Sequence, residues 1–224
     1  MKRPYYVCGK WNRKEVCLMA KKNPRNTRGK IVSAAWQLFY EQGYEETTVE
    51  EIIETSQTSK GSFYHYFDGK DALLSTLSDL FDEKYEALQE TMDRSMPAMD
   101  QLLFLNSQLF RMIENQVSIE LLARLLSTQL VTNGERHLLN QQRTYYRLLR
   151  KIIAQGQERG ELSDSQSVSE MVRLYALSER ALMYDWCLRG GEYSLGQYAA
   201  QVMPGFLSSF RAENCSEHRI EKKD

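Results

Sequence analysis

TTVEEIIETSQTSKGSFYHYFDGK, residues Thr47 to Lys70, carries two short helical patterns set too close together for an ordinary helical hairpin. Val49, Ile52 and Ile53 recur at spacings of three and four, which gives a short helix one apolar stripe. Thr47 or Thr48 is a natural N-cap, and Glu50 with Glu51 places negative charge in the first turn, where the helix dipole favours it. The polar run Thr55-Ser56-Gln57-Thr58 interrupts the stripe. Ser59 then caps a second short helix to about Tyr66, with Phe63 and Phe67 one turn apart on its inner face.

Two short helices joined by a tight polar turn make a helix-turn-helix, whose second helix is the one that enters a DNA major groove. Thr58, Ser59, Lys60 and Ser62 offer donors at the start of that helix, which itself attracts phosphate. Gly61 has no side chain, so a DNA backbone can approach closely there. Tyr64, His65 and Tyr66 add bulky groups that donate hydrogen bonds or stack. Lys70 and Thr48 complete the expected set, the latter reaching a phosphate from the start of the first short helix. The competing reading is two amphipathic helices whose aromatic end merely packs.

The run Ser59-Lys60-Gly61-Ser62-Phe63-Tyr64-His65-Tyr66-Phe67, followed by Gly69-Lys70-Asp71-Ala72-Leu73-Leu74, resembles the signature of the tetracycline-repressor (TetR) family of transcription regulators. Thr27-Arg28 with Lys30-Ile31, the segment Ile31 to Tyr44, and Thr48 to Ile53 resemble that family's lead-in, first helix and second helix. Gly29 departs from the pattern, which more often has a polar residue there. The resemblance spans roughly residues 27 to 77 and beyond them is one of helix layout only. It implies a dimer whose last two helices build a four-helix interface, and repression as the mode of action.

The whole chain of 224 residues has four prolines and no strand-like alternation, so the expected fold is all-α with about nine helices. A three-helix DNA-binding unit at residues 27–74 is followed by a larger helical effector-binding and dimerisation domain at 75–213. A charged tail, 214–224, follows, and residues 1–26 are a basic extension expected to be disordered in isolation. Residues 1 to 30 hold ten Lys or Arg against the single acid Glu15, and the rest nineteen basic against twenty-nine acidic side chains. Lys and Arg interleaved with Tyr5, Tyr6 and Trp11 suit an arm along DNA. A solvated tail and a native start at Met19 stay open beside that reading. No apolar run approaches the eighteen residues a membrane span needs, and no signal-peptide core is present, so a cytoplasmic protein is expected. Cys8, Cys17, Cys187 and Cys215 lack paired metal-ligand spacing and read as reduced thiols. No metal and no cofactor are expected.

Thr27 caps the first helix, which Gly43 ends; Asp68 caps a long lever from Lys70 to about Met96 bearing Leu73, Leu74, Leu77, Leu80 and Phe81. Pro97 opens a helix to about Asn115, and another covers Ile119 to Val131 up to the Asn133-Gly134 break. Further helices are expected from Glu135 to Arg159, from Val168 to Arg189 after Asp164 or Ser167, and from Leu195 to Phe210 after Ser194. Pro204-Gly205 should kink or split the last.

The last two helices are apolar over more than one stripe, which asks for burial on two sides. Leu174, Leu182, Leu195, Tyr198, Val202, Phe206 and Phe210 are the expected dimer face, and two copies fit an inverted-repeat operator in double-stranded DNA. Phe104, Met112, Tyr145, Tyr146, Tyr175, Met183 and Trp186 are candidates to line a cavity for a hydrophobic or aromatic effector, and are equally ordinary core residues. Glu179, Arg180 and Asp185 fall among apolar neighbours, where lone charges are costly; pairing with each other, crossing the dimer seam and holding a ligand all stay open. An enzyme is disfavoured: His65, His137 and His218 have no metal-binding partner spacing, and no nucleophile motif or phosphate-binding glycine loop is present. A protein-interaction adaptor or an activator using the same helix-turn-helix remains the alternative.

Overall fold

The computed structural model describes residues 26–132 and 136–212. The basic extension before Asn26, the Asn133-Gly134 break, Cys8, Cys17, Cys215, His218 and the charged tail lie outside them. The described residues fold into helices: α1 Thr27–Glu41, α2 Val49–Ser56, α3 Lys60–Tyr66, α4 Lys70–Leu74, α5 Leu77–Thr91, α6 Ala98–Gln116, α7 Ile119–Val131, α8 Thr144–Glu158, α9 Val168–Leu188 and α10 Leu195–Phe206. Single 3-10 turns sit at His137–Leu139 and Ser208–Phe210. The fold is all-α, with one isolated backbone bridge between Leu162 and Arg211. Taken as one interrupted rod, α4 and α5 leave the nine helices expected.

Caps set most boundaries. Thr48 and Ser167 each form a reciprocal capping box, with Glu51 and Glu170, and Ser59, Ser118 and Ser194 cap α3, α7 and α10. Asn26, not Thr27, caps α1: its Oδ1 accepts the Gly29 amide at 2.6 Å. Asp68 caps nothing, since Gly69 precedes α4 without a side-chain cap bond. The lever is interrupted at Ser75-Thr76 because their hydroxyls turn back onto the Ala72 and Leu73 carbonyls, at 2.7 and 2.6 Å. Such bonds compete with the helical ladder. The Trp36 indole N–H, donating to the Thr76 hydroxyl at 2.8 Å, holds that break in place. The lever also stops at Thr91, short of Met96. Helix α8 starts at Thr144 rather than Glu135, and α10 ends two residues past Pro204.

Two compact units divide the chain. Among the described residues, one holds those from Asn26 to Glu83 together with those between Arg111 and Asn140; the other holds Lys84–Phe110 with those from Gln141 to residue 212. The division differs from the boundary expected after residue 74, because α4 packs with α7 inside the first unit. In that unit α1 packs on α2 and α3, burying Ile31, Ala35, Phe39, Ile52, Phe63 and Phe67. In the second, α9 packs on α8 and α10. Gly156 lets α8 come close: a Cβ there would lie 2.5 Å from Ala98 Cβ and 2.7 Å from Leu162 Cδ1.

Candidate nucleic-acid interface

The turn between α2 and α3 is made by Gln57, the only non-glycine residue with positive φ (53°) among the described residues. Its amide and that of Thr58 close the end of α2 on the Glu54 and Ile53 carbonyls, at 3.0 and 3.2 Å. Thr58 and Ser56 share a hydroxyl–hydroxyl bond of 2.8 Å, and Ser59 accepts the Ser62 amide at 3.0 Å. With Phe63 fully buried and Phe67 nearly so, α3 presents Lys60, Gly61, Tyr64, His65 and Tyr66 on an open face. The three aromatic rings there are held edge-on to neighbours: Tyr64 to Phe63 at 5.3 Å and His65 to Tyr66 at 4.8 Å. Lys60 leans toward Glu50 at 3.7 Å, an exposed pair worth little in water, so its ammonium stays available.

Lys70 departs from the expectation that it faces DNA. Its Nζ donates to the carbonyls of Tyr44, Glu45 and Thr47, at 2.6, 3.3 and 2.8 Å, and sits 4.3 Å above the Tyr44 ring. Tyr44 in turn donates its hydroxyl to Asp71. Burial and that carboxylate hold the phenol well above its ordinary range. The α1–α2 turn is thus pegged to the first turn of α4. Arg124 of α7 reaches the same turn, pairing with Glu45 and lying 5.5 Å from the Tyr44 ring. Thr48, exposed at the end of this turn, spends its hydroxyl on Glu51 within the capping box, at 2.8 Å.

In the second unit α9 and α10 carry two kinds of apolar residue. Leu182, Leu195 and Phe210 are buried within the unit itself, so they are corrected out of the expected dimer face. Tyr198 and Phe206 are exposed, the latter by 46%, and Leu174 and Val202 are half-buried. Leu177, Tyr184 and Leu188 on α9 are exposed as well, the last by 69%, and extend the same outward stripe at helical spacing. Tyr145, Tyr146, Tyr175, Met183 and Trp186 are buried and Phe104 half-buried in this unit, whereas Met112 belongs to the first. Trp186 donates its indole N–H to the Tyr193 carbonyl at 2.9 Å. A cleft of about 690 Å³ lies elsewhere, in the first unit, between Arg28, Tyr66 and Asp68 on one side and Thr128, Gln129 and His137 on the other.

Residues 31–77 match the model of the bacterial regulatory proteins, tetR family. These residues are a tetR-family domain. The chain is 48% identical over 48 residues to an uncharacterised helix-turn-helix transcriptional regulator of Lactococcus lactis, covering 21% of this chain and 24% of that one. The Fatty acid metabolism regulator protein of Bacillus subtilis aligns over 191 residues at 21% identity, covering 85% of this chain and 97% of that one. The crystal structure of Thermus thermophilus FadR, a TetR-family repressor in complex with lauroyl-CoA, superposes with a TM-score of 0.67 at 22% identity, covering 84% and 97% of the two chains. The chain spans between about a fifth and a third of the length of the first curated relatives it matches.

The structure brings Lys60, Gly61, Ser62, Tyr64, His65 and Tyr66 onto one short helix capped by Ser59, with Thr48 at the start of its partner and Thr58 in the turn. Sequence reasoning missed Arg124, whose link to Glu45 spans 79 positions, and Asn106, a buried amide on α6. Neither residue has a local signal. The outward stripe of α9 did carry one: Leu177, Tyr184 and Leu188 follow the seven-and-four spacing of a second face.

Proposed function

We propose that this protein is a ligand-responsive transcription regulator, a repressor that binds an inverted-repeat operator as a dimer and is released by a small effector. Gly61 carries the reading. Its φ is ordinary, and a Cβ added there would meet nothing nearer than the Ser59 Oγ at 3.9 Å. The fold therefore has no need of glycine at a helical position where alanine stabilises by up to about 1 kcal/mol. The need comes from outside, from a backbone that approaches the start of α3 as phosphate does at a helix N-terminus. Lys60, Tyr64, His65 and Tyr66 surround that point with donors and rings. The tetR-family match supports the same reading.

The exposed stripe on α9 and α10 supplies a self-complementary face for a second copy, and two recognition helices then address two half-sites about one turn apart. The second unit, with its buried aromatic cluster, is the place for a hydrophobic or aromatic effector. A DNA partner makes the cytoplasm the working compartment. The experiment is to capture genomic fragments on the purified protein and footprint those retained. Protection of two symmetric half-sites is the expected outcome. Retention of no fragment at low salt would leave the interaction-adaptor reading instead.

A further inference from the structure

Of Glu179, Arg180 and Asp185 in the apolar run of α9, two find ordinary partners. Asp185 accepts from the Arg189 Nε and the Tyr193 hydroxyl, each at 3.0 Å. Arg180 donates to the Tyr146 hydroxyl at 3.4 Å. Glu179 is turned inward and is 2% exposed. Its oxygens accept from Asn106 Nδ2 at 3.0 Å and from the Tyr145 hydroxyl at 2.7 Å. Both donors are neutral, and no Lys, Arg or His among the described residues pairs with it within 4.0 Å.

Burying a carboxylate costs several kcal/mol unless a countercharge compensates. Burial pushes the Glu179 carboxyl above its ordinary range, against the pull of its neutral donors and of the adjacent Arg180 charge. A glutamine would fill the same space and bond the same two neighbours without that cost. What the acid adds is its charge. Around it the tyrosine rings close in: Tyr145 lies 5.0 Å from Tyr85 and 4.8 Å from Tyr146, centroid to centroid. Tyr175, buried beside them, donates to the Leu102 carbonyl at 2.9 Å. A carboxylate among closely set tyrosine rings suits a large, weakly hydrated cation.

We propose that Glu179, walled by Tyr85, Tyr145 and Tyr175, is the charge-recognition point of the effector site, and that the effector is a lipophilic organic cation. This rests on reading the second unit as the effector-binding part of a regulator. The cluster is closed in this structure, so a ligand has to part the rings. A rearrangement of that kind is what differential affinity between two states requires.

Two ions of one shape and opposite charge test it: tetraphenylphosphonium and tetraphenylborate, titrated calorimetrically into the full-length protein. The phosphonium is expected to bind at least tenfold more tightly. Glu179→Gln should weaken it at least tenfold and erase the preference, whereas Tyr145→Leu should weaken it severalfold and keep the preference. Equal binding of the two ions by the wild-type chain, or undiminished phosphonium binding by E179Q, overturns the proposal. Should E179Q fail to fold, the wild-type preference and Tyr145→Leu decide. Operator binding measured without either ion keeps the two readings apart. A chain that holds operator but is indifferent to charge loses only the cation proposal, and one that holds no DNA loses the regulator reading.

Discussion

Gly61 and Gly156 both lie inside helices, and their surroundings differ in kind. At Gly156 a side chain would drive into Ala98 and Leu162, so the packing of the second unit dictates the residue. At Gly61 the space is open. The contrast extends to the two regions. In the helical bundle Tyr145, Tyr175 and Gln157 all meet partners within the chain. Along α3 the large residues Tyr64 and Tyr66 stand nearly half exposed, each set edge-on to the ring of its neighbour on the same helix. A residue whose reason is not found inside the molecule points to something that binds it.

The outward stripe of α9 and α10 is where the bundle behaves like α3, and it carries the largest expected effect. Phe206 is exposed in the single chain, so Phe206→Glu should cost the isolated fold little. If a second copy covers it, the same change buries an unpaired charge. Monomers by sedimentation and an operator affinity at least 100-fold weaker, about 2.7 kcal/mol, are the expected results. A variant that remains dimeric would move this stripe out of the class of externally explained residues.

Gly156→Ala tests the other side of the contrast. Overpacking at Ala98 and Leu162 should lower stability by about 1–3 kcal/mol in a urea titration. Operator affinity per folded molecule should stay as it was. An unchanged urea midpoint would show that Leu162 swings aside and that the bundle is less committed than its geometry implies.

How far each region could be read in advance follows from the range of its interactions. The helix-turn-helix was legible because its determinants are local: Thr48 with Glu51 and Ser59 with Ser62 each act over three residues. The span of α7 followed in the same way from the apolar spacing between Ile119 and Val131, which the structure keeps. The interrupted lever was not legible, since Ser75 and Thr76 are tolerable in a helix until Trp36, forty positions away, fixes one of them. Lys70 failed for the same reason. Beside a recognition helix a lysine reads as a phosphate contact, and only the fold brings the carbonyls of residues 44 to 47 around it. Helical periodicity identified two apolar sides on α9 and α10 but could not say which side faced inward, hence the misassignment of Leu182, Leu195 and Phe210.

Tyr64 and Lys70 therefore set a proposed contact against a support. Tyr64→Ala should weaken operator binding by about 1–3 kcal/mol and leave chain stability alone. Lys70→Ala should destabilise the first unit by about 1–2 kcal/mol, because three carbonyls lose a charged donor. Its operator affinity should fall with no change in the slope of log affinity against log salt. A slope flattened by about 0.9 would mean that the ammonium leaves its carbonyls for a phosphate on binding.

The smallest effect gives the sharpest test, because two measurements must move in opposite directions. Gly61→Ala removes a flexible residue from the second position of α3, where a methyl group finds open space. Stability should therefore rise, by up to about 1 kcal/mol, since alanine loses less backbone entropy on entering a helix. On the proposed reading, in which a phosphate backbone closes on the helix start, operator affinity should fall. A purely structural role for this glycine predicts that stability and affinity rise or fall together. If the variant is more stable and binds operator as well as before, nothing approaches Gly61 closely, and the contact surface has to be sought further along α3, at Tyr64 and His65.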